Sequence, residues 1–313
     1  MKCVQIHAWG NADVVKIDDV AMPQIKENEV LIAVHAAGVN PIDWKVREGY
    51  FADFMKDCFP FPMGWDCSGT IVSVGSGVTH YEVGDEVYGL LRFFEPAGCF
   101  AEYVAAPIEH ISHKPARIDH LHAAGVPLVA LTAWQALFDT ADLLPGQKVL
   151  IHAGAGAVGQ MAIQLAKWKG AYVAVTASGP TKSLLMSLGV DEFIDYQTQT
   201  FDAMIKDVDV VLDLVGNDYT MRSLAVMKPG ATLIAFTQPI TPDVEERAKF
   251  KNIDAKFTIV QPTGEQLHII THLIDDGLIQ THVEKVFALE EVKEALMLQQ
   301  VGHCHGKVIL KIK

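Results

Sequence analysis

The chain has 313 residues, half of them hydrophobic, and a formal net charge of −13. This length suits two domains with separate cores, and the negative charge argues against nucleic acid or anionic membrane surfaces as partners. The sequence contains no run of about 18 apolar residues and no secretory leader, which predicts a cytoplasmic protein without a membrane span. Its five cysteines include no C-x-x-C pair, so we expect reduced thiols rather than disulfides or a zinc ribbon.

The first 120 residues predict a β-rich region. Their apolar runs at 29–37, 69–75 and 85–91 alternate with polar residues and are interrupted by Gly, Pro and Asp. Alternation of this kind is typical of strands with one buried face. We therefore expect a twisted antiparallel or barrel-like sheet in this part of the chain.

The middle of the chain alternates short apolar strands with helices. The strands are rich in Val, Ile and Leu and are predicted at 149–153, 171–176, 192–196, 208–215 and 231–237, with a further edge strand at 256–260. Helices are predicted at 158–168, 181–188 and 217–227, and a turn at Pro229–Gly230. Repeated β-α-β order implies right-handed crossovers and one doubly wound parallel sheet, covered by helices on both faces.

The segment after residue 263 returns to a mixed pattern. It predicts a helix over 264–277, a strand at 283–287, a helix near 289–299 and a last strand at 307–312. Because the last strand is similar to those of the first region, we expect residues 1–120 and 263–313 to form one domain. The α/β domain, residues 121–262, is then inserted between its two parts.

A glycine-rich loop within 149–159 (VLIHAGAGAVG) is the clearest chemical motif. A strand runs into glycines spaced G-x-G-x-x-G, and an amphipathic helix follows. Glycine lets the backbone turn sharply and lets a pyrophosphate come close, while the helix N-terminus offers N–H groups and a positive dipole end. This context predicts a dinucleotide site formed by Gly154, Ala155, Gly156, Ala157, Val158 and Gly159.

The end of the second predicted strand bears on the choice of cofactor. An NAD site usually has an acidic residue there, about 20 residues after the glycine motif, to bind the ribose 2′-hydroxyl. Here residues 174–183 read AVTASGPTKS, and no acid follows until Asp191. Ser178 and Lys182 suit a 2′-phosphate instead, through a hydrogen bond and a positive charge. The sequence therefore predicts NADP(H) rather than NAD(H).

These features resemble the medium-chain dehydrogenase/reductase superfamily, and within it the zinc-free quinone oxidoreductase branch, which includes zeta-crystallin and enone reductases. The similar segments span nearly the whole chain: 36–49 (AAGVNPIDWKVREG), 63–75, 81–89, 131–137, 145–159 and 302–308. The resemblance implies a GroES-like catalytic domain, an inserted Rossmann domain and an active-site cleft between them. It also implies that Tyr196 joins Ser178 and Lys182 around the 2′-phosphate and that Thr132 lies against the nicotinamide.

Zinc ligands are missing from the places where zinc-dependent relatives carry them. Asn40 takes the place of a Cys, and Trp65 and Asp66 stand where those relatives have His-Glu. Asn and Trp are not usual zinc ligands, and no cysteine-rich lobe is present. His303 and His305, which flank Cys304, are an alternative metal position that the resemblance places in a turn. We predict a zinc-free site.

The segment 40–50 (NPIDWKVREGY) supplies the candidate catalytic residues. Asn40 can hydrogen-bond the nicotinamide ribose or the substrate, Lys45 can stabilise a developing enolate, and Asp43 either takes part or caps a turn. Phe236 and Thr237 end the fifth strand of the inserted domain, at the carboxyl edge of the sheet. Their backbone can hold the cofactor carboxamide.

Without zinc, nothing strongly lowers the pKa of an alcohol, so reduction of an activated double bond is favoured over alcohol oxidation. We expect an NADPH-dependent reductase of quinones or α,β-unsaturated carbonyls. The resemblance favours the carbonyls, because enone-reducing members often have Lys where Lys45 stands and zeta-crystallin-like members often have Tyr. Two alternatives stay open: an NAD(P)-dependent alcohol dehydrogenase, and a zeta-crystallin-like NADPH-binding protein with little turnover. The edge strand at 256–260 and the resemblance both predict a homodimer.

Overall fold

The computed structural model describes residues 1–53, 55, 58–302 and 304–313. The chain forms two compact units, Met1–Leu131 with Gln261–Lys313, and Thr132–Val260. Along the chain, the second unit lies between the two parts of the first. The first boundary lies after Leu131 rather than after residue 120, because the helix at His120–Ala124 packs its alanines against strands of the first unit. Within the described residues, no helix has the length and apolar character needed to cross a membrane.

The first unit is built mainly of antiparallel strands, as predicted. Its leading segment contains α1 (Pro41–Arg47), α2 (His120–Ala124) and α3 (Pro127–Trp134), the last of which runs through the boundary and continues as a π-helix, Gln135–Thr140. Its strands β1 to β8 are Lys2–Ile6, Val15–Asp19, Glu29–Val39, Phe61–Pro62, Asp66–Val74, Glu86–Leu90, Tyr103–Pro107 and Ile111–His113.

The long strand β3 organises this unit. Its first half pairs with both β5 and β7, and its last residues pair with β5 and with the final strand of the chain. A strand shared in this way bends the sheet around an apolar interior, which contains Val30, Ile32 and Val34 from β3. The antiparallel sheet predicted for this region is confirmed.

The second unit alternates strands and helices. Its elements are β9 (Lys148–Ile151), α4 (Ala157–Trp168), β10 (Tyr172–Ala177), α5 (Lys182–Ser187), β11 (Glu192–Asp195), α6 (Phe201–Met204), β12 (Val208–Asp213), α7 (Asp218–Val226), β13 (Met227–Ala235), α8 (Pro242–Phe250) and β14 (Asp254–Phe257). The strands are parallel, in the order β11-β10-β9-β12-β13-β14. This is the doubly wound sheet that the apolar runs predict.

Two local predictions in this unit need correction. Pro229–Gly230 do not form a turn before the fifth strand. They lie within β13, which begins at Met227. The register shifts between Val208–Met227 and Val210–Thr232, so the extra residues form a bulge, with a φ of +84° at Gly230. The edge strand β14 covers Asp254–Phe257 rather than 256–260, although it does lie at the edge of the sheet.

The return segment completes the first unit with α9 (Gly264–Asp275), β15 (Val283–Ala288), α10 (Val292–Val301) and β16 (Lys307–Lys311). The last strand, β16, pairs antiparallel with Ala36–Val39 of β3 and parallel with β15. Because β16 lies beside the end of β3, its first residue, Lys307, is buried next to the start of α1.

Candidate active site

The glycine loop joins β9 to α4 in the second unit. Ala153 takes a φ of +51° after the strand ends, and Gly154 N–H then donates to the carbonyl of Thr176 on β10 (3.0 Å). Gly156 N–H donates to the Ala153 carbonyl (3.0 Å), and Gly156 caps the helix with extended backbone angles. The loop is therefore a tight turn fixed by main-chain hydrogen bonds.

Close packing explains two of the three glycines. A Cβ on Gly154 would lie 2.9 Å from the Cβ of Val175, and a Cβ on Gly159 would lie 2.6 Å from the carbonyl oxygen of Ala153. Gly156 differs, because the nearest atom to its Cβ position would be the Ala153 oxygen at 3.4 Å. The protein leaves space beside Gly156, and that space suits a ligand that approaches the backbone closely.

The first turn of α4 offers donors to such a ligand. Gln160 N–H makes the first helical bond, to the carbonyl of Gly156 (2.9 Å). The N–H groups of Ala157, Val158 and Gly159 therefore have no partner within the helix. Together with the positive end of the helix dipole they suit a pyrophosphate, so the residues present fit the predicted dinucleotide.

The residues predicted for the 2′-phosphate meet at the carboxyl ends of β10 and β11. Ala177 pairs with Asp195, so Ser178 and Tyr196, which follow them, lie next to each other. Tyr196 N–H donates to the Ala177 carbonyl (3.2 Å), and its side chain is exposed. Lys182 begins α5, with its Nζ 5.8 Å from the ring centre of Phe193.

Sequence reasoning missed one acid at this edge. A Cβ on Gly179 would lie 2.7 Å from Oδ2 of Asp195, so this carboxylate is next to the Ser178 segment. Its Oδ1 accepts from the N–H of Gln197 (3.0 Å). Asp195 is the last residue of the third strand of the α/β unit, whereas the acid of an NAD site is expected after the second strand.

The remaining predicted cofactor residues of this unit lie on separate elements. Phe236 and Thr237 follow β13, and Phe236 N–H donates to the carbonyl of Asp213 at the end of β12 (3.3 Å). Thr237 is exposed at this edge. Thr132 is buried in α3.

In the first unit, Asn40 and Asp43 belong to a buried polar cluster that also includes Asp66 and Lys307. Asn40 Nδ2 donates to Asp66 Oδ2 (2.9 Å) and to the Gly38 carbonyl (3.3 Å), while Asn40 Oδ1 accepts from Lys307 Nζ (2.6 Å). Lys307 Nζ also lies 3.1 Å from Asp66 Oδ2. Both amide protons of Asn40 are therefore used inside the protein, which leaves only its oxygen with spare capacity.

Burial affects the pKa values of Asp43 and Asp66 against different hydrogen-bond partners. Asp66 Oδ1 accepts from the N–H of Leu128 (2.9 Å), and its pKa is raised by burial against the opposing influence of Lys307 and Asn40. Burial raises the pKa of Asp43 to about 8, although its Oδ2 accepts from the Asn40 N–H (2.6 Å). Asp43 Oδ1 has no hydrogen-bond partner. Asp43 is thus largely protonated at neutral pH and caps α1 from within the core.

The partnership of Lys307 with Asp66 was not predicted. Lys307 is only 4% exposed and Asp66 is fully buried. The available sequence signal was a lysine opening an otherwise apolar final strand, in KVILKI. A lysine in this position usually indicates a solvated strand end. The acid that pairs with it, Asp66, lies more than two hundred positions earlier in the chain.

Lys45 lies on α1, one turn past Pro41. It is half-buried, and burial lowers the pKa of its ammonium group. Its Nζ lies 5.8 Å from the centre of the Trp44 ring. Among the described residues, Lys45 has no carboxylate within ion-pair distance, unlike Lys307.

Comparison with known proteins places these features in a family. The chain matches an alcohol dehydrogenase GroES-like domain over residues 26–116 and a zinc-binding dehydrogenase domain over residues 188–310. The structure of the quinone oxidoreductase from Coxiella burnetii is 37% identical, covers 100% of this chain and 99% of its own, and superposes with a TM-score of 0.94. The chain belongs to the quinone oxidoreductase branch of the medium-chain dehydrogenase/reductase superfamily.

Two curated relatives extend the comparison of this quinone oxidoreductase branch. The mitochondrial NAD(P)H oxidoreductase RTN4IP1 of Danio rerio is 31% identical over 98% of this chain and 90% of its own length. The chloroplastic NADPH-dependent alkenal/one oxidoreductase of Arabidopsis thaliana is 33% identical over 99% of this chain and 79% of its own length.

The zinc positions of the superfamily carry other chemistry in this member. Trp65 is buried, with its Nε1 donating to the carbonyl of Glu95 (2.9 Å), and Asp66 is bonded to Asn40 and Lys307. No group of three or more His, Cys, Asp or Glu side chains able to hold a metal is found among the described residues. His303 of the alternative metal position lies outside the residues that the structure describes.

Proposed function

We propose that this protein is an NADPH-dependent reductase of quinones or of the activated C=C bond in α,β-unsaturated carbonyls. The observation that carries the proposal is the glycine loop of β9 and α4, with its three unpartnered N–H groups and the open space at Gly156. The names of the relatives support the chemistry: one reduces alkenals and enones with NADPH, and another is a quinone oxidoreductase.

When bound, the nicotinamide supplies a hydride to the β-carbon of the enone, and a proton added at the α-carbon completes the reduction. As the hydride arrives, negative charge moves to the carbonyl oxygen. The protein therefore has to orient the substrate and to place a donor near that oxygen.

Lys45 is the donor that we propose for the substrate oxygen. Among the residues that the structure describes, no carboxylate lies within ion-pair distance of its ammonium group, and burial lowers its pKa, which makes it a better proton donor than an exposed lysine. In this proposal Asn40 and Asp43 are positioning residues, because their side chains are bonded inside the protein or buried. They hold the start of α1, from which Lys45 projects.

The experiment follows NADPH absorbance with a panel of enones and quinones. Lys45→Met keeps the aliphatic stem and should lower kcat about 100-fold or more, because the lost charge acts mainly in the transition state. Lys16→Met, at an exposed lysine of β2, is the matched control and should leave kcat unchanged. A kcat within about twofold of the wild type for Lys45→Met would remove Lys45 from this role.

A wild-type protein that binds NADPH but reduces no member of the panel would contradict the proposed activity. It would favour the zeta-crystallin-like alternative instead. Oxidation of alcohols that depends on added zinc would favour the alcohol dehydrogenase alternative.

We further propose that the cofactor is NADPH in preference to NADH, through Ser178, Lys182 and Tyr196. NADPH should bind more tightly by about 1–3 kcal/mol, as expected for charge-assisted contacts to a phosphate. Lys182→Met should narrow the difference between the two dissociation constants in calorimetric titrations. Asp195 acts in the opposite direction, so Asp195→Asn should widen it. Equal constants for the two cofactors in the wild type would overturn the proposal.

Three finer points complete the proposal. We propose a zinc-independent enzyme, supported by Asn40 and Trp65 at the zinc positions and checked by elemental analysis.

We propose a homodimer that pairs at β14, an edge strand next to the exposed side chains of Phe250 and Ile259, checked by light scattering. We propose a cytoplasmic location, consistent with five free cysteines and checked by fractionation, although the relatives named above are organellar.

A further inference from the structure

The return segment carries a pair of histidines that the reductase chemistry does not use. His268 and His272 lie four residues apart on α9, and both are exposed. Residues at this spacing lie on the same face of a helix, one turn apart. The sequence of the turn is HIITH, in which the three intervening residues point to other faces.

The two rings face each other through their Nε2 atoms. These atoms are 3.2 Å apart, the ring centres are 4.6 Å apart and the ring planes are inclined by 82°, so the two Nε2 atoms lie within hydrogen-bond distance of each other. Two neutral imidazoles at this distance share one hydrogen, since one Nε2–H donates to the lone pair of the other.

This distance also matches the bite of a metal chelate. Metal–nitrogen bonds of about 2.05 Å that span 3.2 Å subtend roughly 100° at the metal. That angle lies between those of square-planar and tetrahedral coordination, so a divalent ion can replace the shared hydrogen once the rings rotate to direct both Nε2 lone pairs at it. We propose that His268 and His272 form a surface chelate site for a borderline divalent transition ion, of the class of Cu²⁺, Ni²⁺ or Zn²⁺.

The helix that carries the pair is well anchored. Tyr88 Oη donates to the Leu267 carbonyl (2.8 Å) and lies 2.9 Å from Thr271 Oγ1, which itself donates to the His113 carbonyl (3.0 Å). The opposite face of α9 is therefore held to β6 and β8, so little ordering of the backbone is needed for the rings to bind an ion. His268 also borders a surface groove of about 680 Å³, which gives an ion access from solvent.

The chemistry restricts the ions that the site can take. Imidazole is a good ligand for Cu²⁺, Ni²⁺ and Zn²⁺, whereas Mg²⁺ and Ca²⁺ prefer oxygen ligands. No group of three or more metal-binding side chains occurs in the part of the chain that the structure describes, so water completes the coordination. The site therefore resembles a two-point chelate rather than a closed structural centre.

The test titrates the full-length, untagged protein, freed of metal by a chelator, with Ni²⁺ near neutral pH in a calorimeter. The wild type should bind one Ni²⁺ per chain at a site clearly tighter than any other. His268→Gln and His272→Gln should each weaken that site about tenfold or more, because either change converts a chelate into a single ligand. Cu²⁺ should bind more tightly than Ni²⁺, and Mg²⁺ should show no such site.

His122→Gln is the matched control, since His122 is a half-exposed helical histidine that pairs with Asp119 rather than with a second histidine, and Ile118 and Val126 lie four residues away. It should leave the Ni²⁺ constant unchanged. The melting temperature in chelator should be similar for all variants, which shows that they fold. The melting temperature in Ni²⁺ should rise for the wild type and the control only.

Three results would overturn the proposal: no Ni²⁺ site in the wild type, retention of the site in either single variant, or an equal loss in His122→Gln. Reductase activity without added metal should be the same in all these variants. The outcome therefore stands apart from the proposed reduction of enones and quinones.

Discussion

The glycine loop and the buried polar cluster are built in opposite ways. The loop uses main-chain groups from one continuous segment, in which side chains are absent at the three glycines. The cluster uses side chains from segments far apart in the chain: Asn40 and Asp43 at α1, Asp66 at β5 and Lys307 at β16. The loop interacts through N–H groups at a helix end, whereas the cluster interacts through opposed charges removed from water.

This difference predicts how each region responds to substitution. A main-chain site fails when an added atom occupies the space of the ligand or of its own backbone. A buried charged cluster fails when one partner is removed, because the other is then left uncompensated. The following substitutions test the contrast.

The largest effect is expected at Lys307. Lys307→Met keeps the aliphatic stem but leaves Asp66 without its cation, which should cost about 3–5 kcal/mol of unfolding free energy. Lys311→Met, at an exposed lysine of the same strand, is the control and should cost little. Denaturant unfolding curves measure both.

The double variant Asp66→Asn with Lys307→Met decides whether charge is the cause. It removes both charges and keeps an oxygen that can accept from the N–H of Leu128. The double variant should regain most of the unfolding free energy that Lys307→Met loses. A double variant as unstable as Lys307→Met alone would show that Lys307 contributes through packing, and the contrast between cluster and loop would weaken.

In the glycine loop we expect smaller effects on stability, and these differ between Gly159 and Gly156. In Gly159→Ala the new Cβ would lie 2.6 Å from a carbonyl oxygen and 2.7 Å from Gly154 Cα, so overpacking should destabilise the fold by about 1–3 kcal/mol. In Gly156→Ala the nearest atom is 3.4 Å away and φ is −70°, so the fold should tolerate the methyl group.

NADPH binding should separate the two substitutions. Gly156→Ala places a methyl group where a pyrophosphate would approach, which should weaken binding about tenfold, or about 1.4 kcal/mol, at a nearly unchanged melting temperature. Fluorescence titration and thermal unfolding of both variants provide the comparison. Unchanged NADPH affinity in Gly156→Ala would mean that the loop does not bind the pyrophosphate as proposed.

The same contrast explains how much could be predicted from sequence. The parallel strands and the glycine loop depend on local patterns, and the structure contains them. The bulge at Pro229–Gly230 was not predicted, because these residues usually end a strand. Here a shift of register between β12 and β13 accommodates them within the strand. The boundary after Leu131 and the bond between Asp66 and Lys307 depend on contacts between distant segments. No local pattern encodes such contacts.

The last prediction concerns Asp43 and the dependence of stability on pH. Burial raises the pKa of Asp43 to about 8 in the folded protein, against about 3.9 in an unfolded chain. Between these values the folded state binds more protons than the unfolded state, so unfolding free energy falls as pH rises. The stability due to the neutral carboxyl group is fully present below about pH 4 and is lost as pH rises through about 8.

Asp43→Asn keeps an oxygen that can accept from the Asn40 N–H, and it cannot ionise. Relative to this variant, the wild type should lose up to about 1.4 kcal/mol of stability for each pH unit between pH 5 and 8. The difference between the two proteins cancels the contributions of other groups, such as His35 and His120, whose pKa values are lowered mainly by burial. Asp53→Asn, at an exposed carboxylate, should run parallel to the wild type. If Asp43→Asn also ran parallel to it, Asp43 would be ionised in the folded protein, and the buried cluster would carry one more negative charge than we infer.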